Sequence, residues 1–523
     1  MKKITAVTVI LLLTAAVVFA GGAKDTASSG GTQKVTVELF DRGTDGGRTQ
    51  VDNNAWTNWI KDKVRKDLNI DVNFFPVGRW DEEQTLITLM AAGNAPDLCY
   101  TYNTGNVSGF RDQGGLLDFS PYIDKFLPDM KKLLGADPAL SGKEFIYRNQ
   151  MPDGKIFNIP SYRVALAQRN VFIRKDWLDK LGIALPKNIK DFHDALAAFR
   201  DNDPGNVGKN NVIPLMTDRD TRWKLANFIH SSIDPNLSDK DRYIYNIADR
   251  SFAMPGYKEG VRMMNQWFNE GLIFRDFPLV GNDSDDFYNT VKSGAVGAFC
   301  GNWDLPYRND YSIMKDLRSN VPNADFVPVD AFQNKEMYDK VGLQIIIPSF
   351  SKNQEAALKY LNWLCIGENY SFLQIGQEGV NHRMVDGVPE IIARPPNDPW
   401  FQNSGSNIDF TMPMNGIEMG NDELNARVLA LTYAGTAPEA IVNAYSIGTV
   451  NARAPVVVNS PTTQDGIYGQ TLRDGVEALL GQSITAKTAD FDRVWDTGFQ
   501  NLMQSGGQAI MDERKSIANS VWK

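Results

Sequence analysis

From Val35 onward the hydrophobic period switches between two residues and 3.6 residues, and this constrains the fold more than any other feature of the chain. A strand pattern (Val35, Val37, Leu39) precedes a helix pattern around Trp56, Trp59, Ile60 and Val64. Ile70–Phe75 then reads as a strand, Glu82–Ala92 as a helix with Leu86, Leu89 and Met90 on one face, and Leu98–Tyr102 as a short strand. Strands alternating with helices predict βαβ units and a largely parallel sheet. Such a sheet meets ligands in the crevice beyond the carboxyl ends of its strands, which brings forward Asp41, Arg42, Tyr102 and Asn103.

The same style runs from about Phe172 to Trp303, with helices predicted over Asp191–Phe199 and Tyr257–Asn269, the latter stopped by Gly271. A strand pattern from Ala295 to Phe299 leads into Gly301-Asn302-Trp303, and Val341–Ile347 reads as a buried strand. Ser351, three positions before Gln354, has the spacing of a capping box opening a helix. Beyond Asn397 the chain turns rich in Asn, Gly and Met, and it ends in helical patterns from Asp490 to Val521. At 523 residues and 42% hydrophobic content it exceeds what one core can organise, so two or more packed units are expected.

Lys2 and Lys3 precede an apolar stretch from Ile4 to Phe19 that closes in Val18-Phe19-Ala20, the shape of a secretory signal. Residues 1–20 are therefore expected to be a signal peptide cleaved after Ala20, residues 21–34 a flexible linker, and the mature chain periplasmic or extracellular. With 54 Lys and Arg against 63 Asp and Glu, the net charge of −9 disfavours nucleic acid or an anionic membrane as partner. Cys99, Cys300 and Cys365 are too far apart for a disulfide framework or a metal site and read as small buried apolar residues. The three histidines never take the spacing of a zinc hydrolase, and no metal or cofactor is expected.

An ordered set of segments lies within residues 30–520: AAGNAPDL (Ala91–Leu98), GGLLDFSPYID (Gly114–Asp124), DGKIFNIPSY (Asp153–Tyr162), FIRKDWLDKLGI (Phe172–Ile183), SGAVGAFCGNW (Ser293–Trp303), IIPSFSKNQEAALKYLNWL (Ile346–Leu364) and IGQEGVNHRMVDG (Ile375–Gly387). In order and spacing these resemble the extracellular solute-binding proteins of bacterial carbohydrate ABC importers, a group that includes maltose- and alginate-oligosaccharide-binding proteins. The resemblance implies an α/β, two-lobed periplasmic-binding-protein-like clamshell with crossing hinge strands that closes on a ligand. Residues 35–162 and 341–400 would form lobe one, with 163–340 and 401–523 forming lobe two and the C-terminal helices. It further implies a monomeric, non-catalytic receptor that captures an oligosaccharide or similar polar solute and hands it to ABC permease subunits. Reversible release sets an expected dissociation constant of about 0.1 to 10 μM. The alternatives are a secreted carbohydrate-active hydrolase using an Asp/Glu pair and a sugar sensor docking on a receptor.

A sugar site needs flat aromatic platforms and side chains that donate and accept in a plane. Trp303 follows a strand end and a Gly-Asn pair and matches the position of a stacking aromatic in sugar-binding relatives; the alternative is an ordinary packing Trp. Asn302 and Asp304 share that tip, where turn chemistry is the competing role. By the resemblance, Tyr162 and Arg163 follow Pro160 at the lobe crossing, a surface ion pair being the other role for Arg163. Trp223 and Trp400, beside Arg222 and Pro399, are further candidates against plain packing. Asp41 and Arg42 compete with helix capping, Tyr102 and Asn103 with loop anchoring, and His382 reads as structural. A local basic cluster such as Arg163, Arg169, Arg219 and Arg222 would suit an anionic glycan if it lined the cleft. The stretch Asp203–Pro214 resembles a calcium loop of the alginate-binding branch, but Gly205 and Val207 stand where oxygens are needed and Asn211 and Val212 replace carboxylates. One remaining carboxylate should hold calcium poorly.

Overall fold

Each of two sheets is built from strands that run toward the hinge and strands that return from it. The computed structural model describes residues 31–522, apart from 43–49, 138–141, 309–312, 393, 396, 402–405, 432, 434–435 and 459–461. The expected signal segment 1–20 lies outside the described residues, as does most of the expected linker. The strands are β1 (Gln33–Asp41), β2 (Ile70–Gly78), β3 (Cys99–Thr101), β4 (Ile159–Arg163), β5 (Arg169–Arg174), β6 (Ile213–Met216) and β7 (Val296–Asn302). There follow β8 (Phe326–Pro328), β9 (Lys335–Glu336), β10 (Val341–Ile346), the hairpin of β11 (His382–Val385) and β12 (Val388–Ile391), β13 (Met414–Asn415) and β14 (Ala452–Arg453).

In the first lobe β1 pairs with β2 in parallel, from Gln33 opposite Ile70 to Asp41 opposite Gly78. A parallel bridge from Val37 to Leu98 carries the sheet to β3, and β10 runs antiparallel between β3 and β4, with β13 on the outer side of β4. The second sheet has the order β6-β7-β5-β8, with β6 and β7 parallel and β5 antiparallel to both neighbours. The expected largely parallel sheet is thus mixed in both lobes. β10 and β5 enter their sheets from the hinge, against the direction of the strands whose carboxyl ends meet it.

Helix Ala55–Leu68 buries Trp56, Ile60 and Val64, one residue per turn on the stripe facing Val35, Val37, Leu39, Leu343 and Ile345. Asn54 opens it with a reciprocal cap, its side chain accepting from the Thr57 amide while the Thr57 hydroxyl accepts from the Asn54 amide. In the second lobe β5 is buried on both faces. Val171 and Ile173 join Trp177, Phe228 and Trp267 on one side, and Phe172 joins Phe287, Phe299 and Phe326 on the other. A helix that the periodicity does not reveal, Thr463–Thr485, adds Leu472, Val476 and Leu480 to the first of these cores. Asn265 ties its end down, donating to the carbonyls of Ser483, Ile484 and Ala486 at 3.0, 3.1 and 2.7 Å. The three cysteines are buried and unpaired, and no described helix is long and apolar enough to cross a membrane.

The chain passes between lobes three times, and the passages are hydrogen-bonded to one another. Arg163 N–H donates to the Lys340 carbonyl (2.6 Å), Tyr338 N–H to Leu166 (2.9 Å), Tyr162 N–H to Pro413 (2.8 Å) and Val164 N–H to Asn415 (3.0 Å). Gly342 lies where these strands converge. A Cβ there would stand 2.5 Å from Ser161 Oγ and 2.7 Å from Asn415 Nδ2. The first sheet therefore extends through Asn415, past the boundary expected at 400. Helix Gln354–Trp363 also starts without the expected capping box. Ser351 Oγ instead donates to Asp97 (2.6 Å) and accepts from the Asn353 amide (3.1 Å).

Two charges inside the first lobe generate predictions. Arg42 forms a two-pronged ion pair with Asp409, both bonds 2.7 Å, with Asp409 only 3% exposed. Arg42→Ala leaves that carboxylate uncompensated and is expected to cost about 3–5 kcal/mol in denaturant unfolding. Glu38 is buried, and that burial pushes its carboxyl up to about 8 although the Tyr100 amide donates to it. The fold favours the neutral acid, so its contribution is complete below the ordinary 4.5 and is lost as pH rises through about 8. Glu38→Gln should flatten the stability profile across that window, as read by thermal melts at stepped pH.

Candidate functional site

β1, β2 and β3 all end at the hinge, so the residues following them share one rim. The sequence Gly78-Arg79-Trp80 places the Arg79 guanidinium among three rings, 4.4 Å from the centroid of Tyr102, 5.1 Å from Trp80 and 5.3 Å from Phe40. Trp80 itself is 80% exposed, unusual for so large an aromatic. From β4, Arg163 reaches the same ring from the hinge side, 5.9 Å from Tyr102 and 4.3 Å from Tyr338 on the neighbouring crossing. The Tyr102 hydroxyl accepts from Asn415 Nδ2 at 3.3 Å, so all three crossings contribute to this floor.

The second lobe supplies the turn after β6. Asp218 organises it by accepting from the amides of Asp220 (2.9 Å) and Asp283 (3.1 Å). Buried Lys224 pairs with Asp283 at 2.6 Å and lies 3.8 Å from Asp218. The turn presents Trp223, whose ring faces the buried Arg169 guanidinium at 4.9 Å, and Arg169 donates to Glu336 at 2.8 Å. Burial opposes ionisation of Glu336, but the charges of His230, Arg169 and Arg222 outweigh it and hold the carboxyl down to about 2. The His230 imidazole is lowered as well, chiefly by burial. Arg163 Nε and Arg222 Nε are buried and meet no hydrogen-bond acceptor among the described residues.

Several sequence-derived candidates take other places. Trp303 is 5% exposed, packed edge-on against Tyr445 at 5.3 Å among Ala167, Ala430 and Ala444, so it offers no open face for stacking. Asp304 is buried and ties this corner together, accepting from Arg308 (2.8 Å) and from the Tyr433 hydroxyl (2.6 Å). Asn302 is half-buried at the end of β7, opposite Arg169. Trp400 packs edge-on against Trp56 at 5.3 Å, and its carbonyl accepts from the Trp56 indole (3.1 Å), in the first lobe's core. Arg42 is committed to Asp409, and Asn103 caps helix Thr104–Asp112 while donating to Glu83 at 2.7 Å. Tyr162 points away from Arg163 by strand alternation. It lines a pocket of about 290 Å³ with Phe145, Lys340 and Asp422. Asp41 ends β1, its carbonyl accepting from the Arg79 amide at 2.7 Å. His382 is buried, with Nδ1 3.0 Å from the Ile375 carbonyl. Arg219 is exposed and donates to Asn282 at 3.1 Å.

Of these candidates, Tyr102 and Arg163 share the hinge floor, and Trp223 stands with Arg169 on the second lobe. Arg79, Trp80, Tyr338 and Glu336 were missed by sequence reasoning. The signal for the first two was available, since Arg79 and Trp80 follow a strand end just as Asp41 and Tyr102 do. In the calcium-like loop, Asp203 accepts from the amides of Val207 (3.0 Å) and Gly208 (2.9 Å), one to each oxygen, so its carboxylate closes the turn itself.

Two α/β lobes, zipped together by three strand crossings over a floor of rings and guanidinium groups, define a two-lobed clamshell of the periplasmic-binding-protein type. The chain belongs to the bacterial extracellular solute-binding protein family, whose model matches residues 49–364. It is similar to the polygalacturonan/rhamnogalacturonan-binding protein YtcQ of Bacillus subtilis, 24% identical over 331 residues. That match covers 61% of this chain and 62% of YtcQ, less than two thirds of the relative's length. Among solved structures, the substrate-binding protein FusA of S. pneumoniae in complex with kestose superposes with a TM-score of 0.64 at 16% identity, covering 94% of this chain and 99% of that one. An HMO-binding, ABC-transporter-associated solute-binding protein from Bifidobacterium longum infantis gives 0.63 at 18% identity, covering 94% and 99%.

Because Asp203 already serves two backbone donors, calcium titration by calorimetry should give no stoichiometric heat. Asp203→Ala should lower the melting temperature in the same way with and without calcium. Tight one-to-one binding would reverse this assignment.

Proposed function

We propose that the protein is the capture component of an ABC importer, exported by the signal segment at 1–20 and working as a monomer. It holds an oligosaccharide between its lobes and presents the closed form to permease subunits. The lobes, residues 33–163 with 341–415 and residues 169–336 with most of 422–522, close about the three crossings. The observation that carries this reading is the hinge floor. Tyr102, Tyr338 and exposed Trp80 supply faces for sugar C–H groups, and guanidinium donors stand between them for hydroxyl or acid oxygens. Family membership supports binding without turnover. The relatives' printed ligands differ in charge, since polygalacturonan carries carboxylates and kestose carries none.

Tryptophan fluorescence titrated with short oligosaccharides, alongside a reducing-end assay, tests the proposal. Saturable quenching with no new reducing ends is expected, and turnover would point to a hydrolase. Trp80→Ala should weaken binding by about 1–2 kcal/mol, roughly tenfold in Kd, with little change in melting temperature. Trp303→Ala should do the reverse, destabilising the fold by about 3–5 kcal/mol as a core truncation.

A further inference from the structure

Two guanidinium groups of this cleft, those of Arg163 and Arg222, have little to hold. Arg163 neither donates a side-chain hydrogen bond to a described residue nor pairs with a carboxylate, its only recorded partners being the rings of Tyr102 and Tyr338. Arg222 likewise makes no side-chain hydrogen bond or ion pair with a described residue, and Nε of each is buried without an acceptor. Arg79 sits among rings with Glu82 no nearer than 3.8 Å. The carboxylate near Arg222, Glu336, is engaged by Arg169 at 2.8 Å, with His230 3.7 Å away. Glu336 and Tyr338 are two residues apart on an extended crossing, so their side chains share a face. That face carries Tyr338, which Arg163 covers, and Glu336, whose carboxyl feels the charge of Arg222. A chain of net charge −9 thus carries, at its hinge, two guanidinium forks with no carboxylate partner among the described residues.

We infer that the ligand class is an acidic oligosaccharide, a glycan bearing sugar carboxylates, and that Arg163 and Arg222 are its charge-reading residues. A planar guanidinium matches a carboxylate with two parallel bonds, and Tyr102 and Tyr338 flank that position with faces suited to the sugar ring. A neutral sugar would leave the same donors with hydroxyls alone. This inference rests on the receptor reading above and narrows it.

Calorimetric titration of the full chain with trigalacturonate, its methyl ester and maltotriose separates the two. The acid should bind at least about tenfold tighter than the ester, with the gap closing as salt is raised. Arg163→Gln and Arg222→Gln should each weaken acid binding by roughly tenfold or more and ester binding by clearly less, so that the acid-to-ester ratio falls, Arg163→Lys falling between. Equal binding of acid and ester, or preference for maltotriose, overturns the acidic class while leaving the receptor reading intact. Binding of none of the three overturns both. Should a variant fail to fold, the acid-to-ester comparison on the unaltered protein still decides.

Discussion

The hydrogen bonds among the three crossings are the constraint on which the rest depends. They join residues far apart in sequence, Tyr162 with Pro413, Arg163 with Lys340 and Leu166 with Tyr338, and so fix where each lobe's strand ends stand. Gly342 makes the approach possible, because any side chain there would collide with Ser161 and Asn415. The floor of rings and guanidinium groups follows from the zipper. Tyr102, Arg163 and Tyr338 meet only because β3, β4 and the second crossing are laid side by side.

The aromatic residues divide by what lies behind them. Trp56, Trp303 and Trp400 are enclosed by other side chains, so their area is spent within the protein. Trp80, with Arg79 against its ring, is largely exposed and keeps its surface for something outside. The charged residues divide in the same way. Arg42, Lys224 and Asp304 are buried with close partners and hold the backbone near the cleft in place. Arg163 and Arg222 have no such partners among the described residues. A buried donor without an acceptor is costly, and a clamshell tolerates it where a ligand arrives to supply the oxygen.

Much of this was legible in the chain. The period switches located β1, β2, the helix Glu82–Ala92 at its observed bounds and the Tyr257–Asn269 helix, the last of which buries a clean stripe of Tyr257, Val261, Met264 and Trp267. The rim was half readable, since the positions after strand ends that include Tyr102 also include Arg79 and Trp80 at the end of β2. Strand direction was not readable, because a pattern of alternation is the same for a strand entering the sheet as for one leaving it. Trp303 shows the complementary failure. Its position after a strand end suggested a platform, but helix Pro438–Thr449, more than a hundred residues later, covers it through Ala444 and Tyr445. Nor could spacing reveal Thr463–Thr485, whose glycines and polar residues blur the stripe that Leu472, Val476 and Leu480 form.

The interleaving of the first sheet also sets the order in which the molecule can be made. β10 lies between β3 and β4, so the sheet begun at Gln33 has a gap until residue 346 has been synthesised, and its edge strand waits for Asn415. Pairings of such long sequence separation form slowly. A nascent chain of this topology therefore stays pliable through most of translation, the condition a polypeptide needs if it is to be threaded through a pore before it locks.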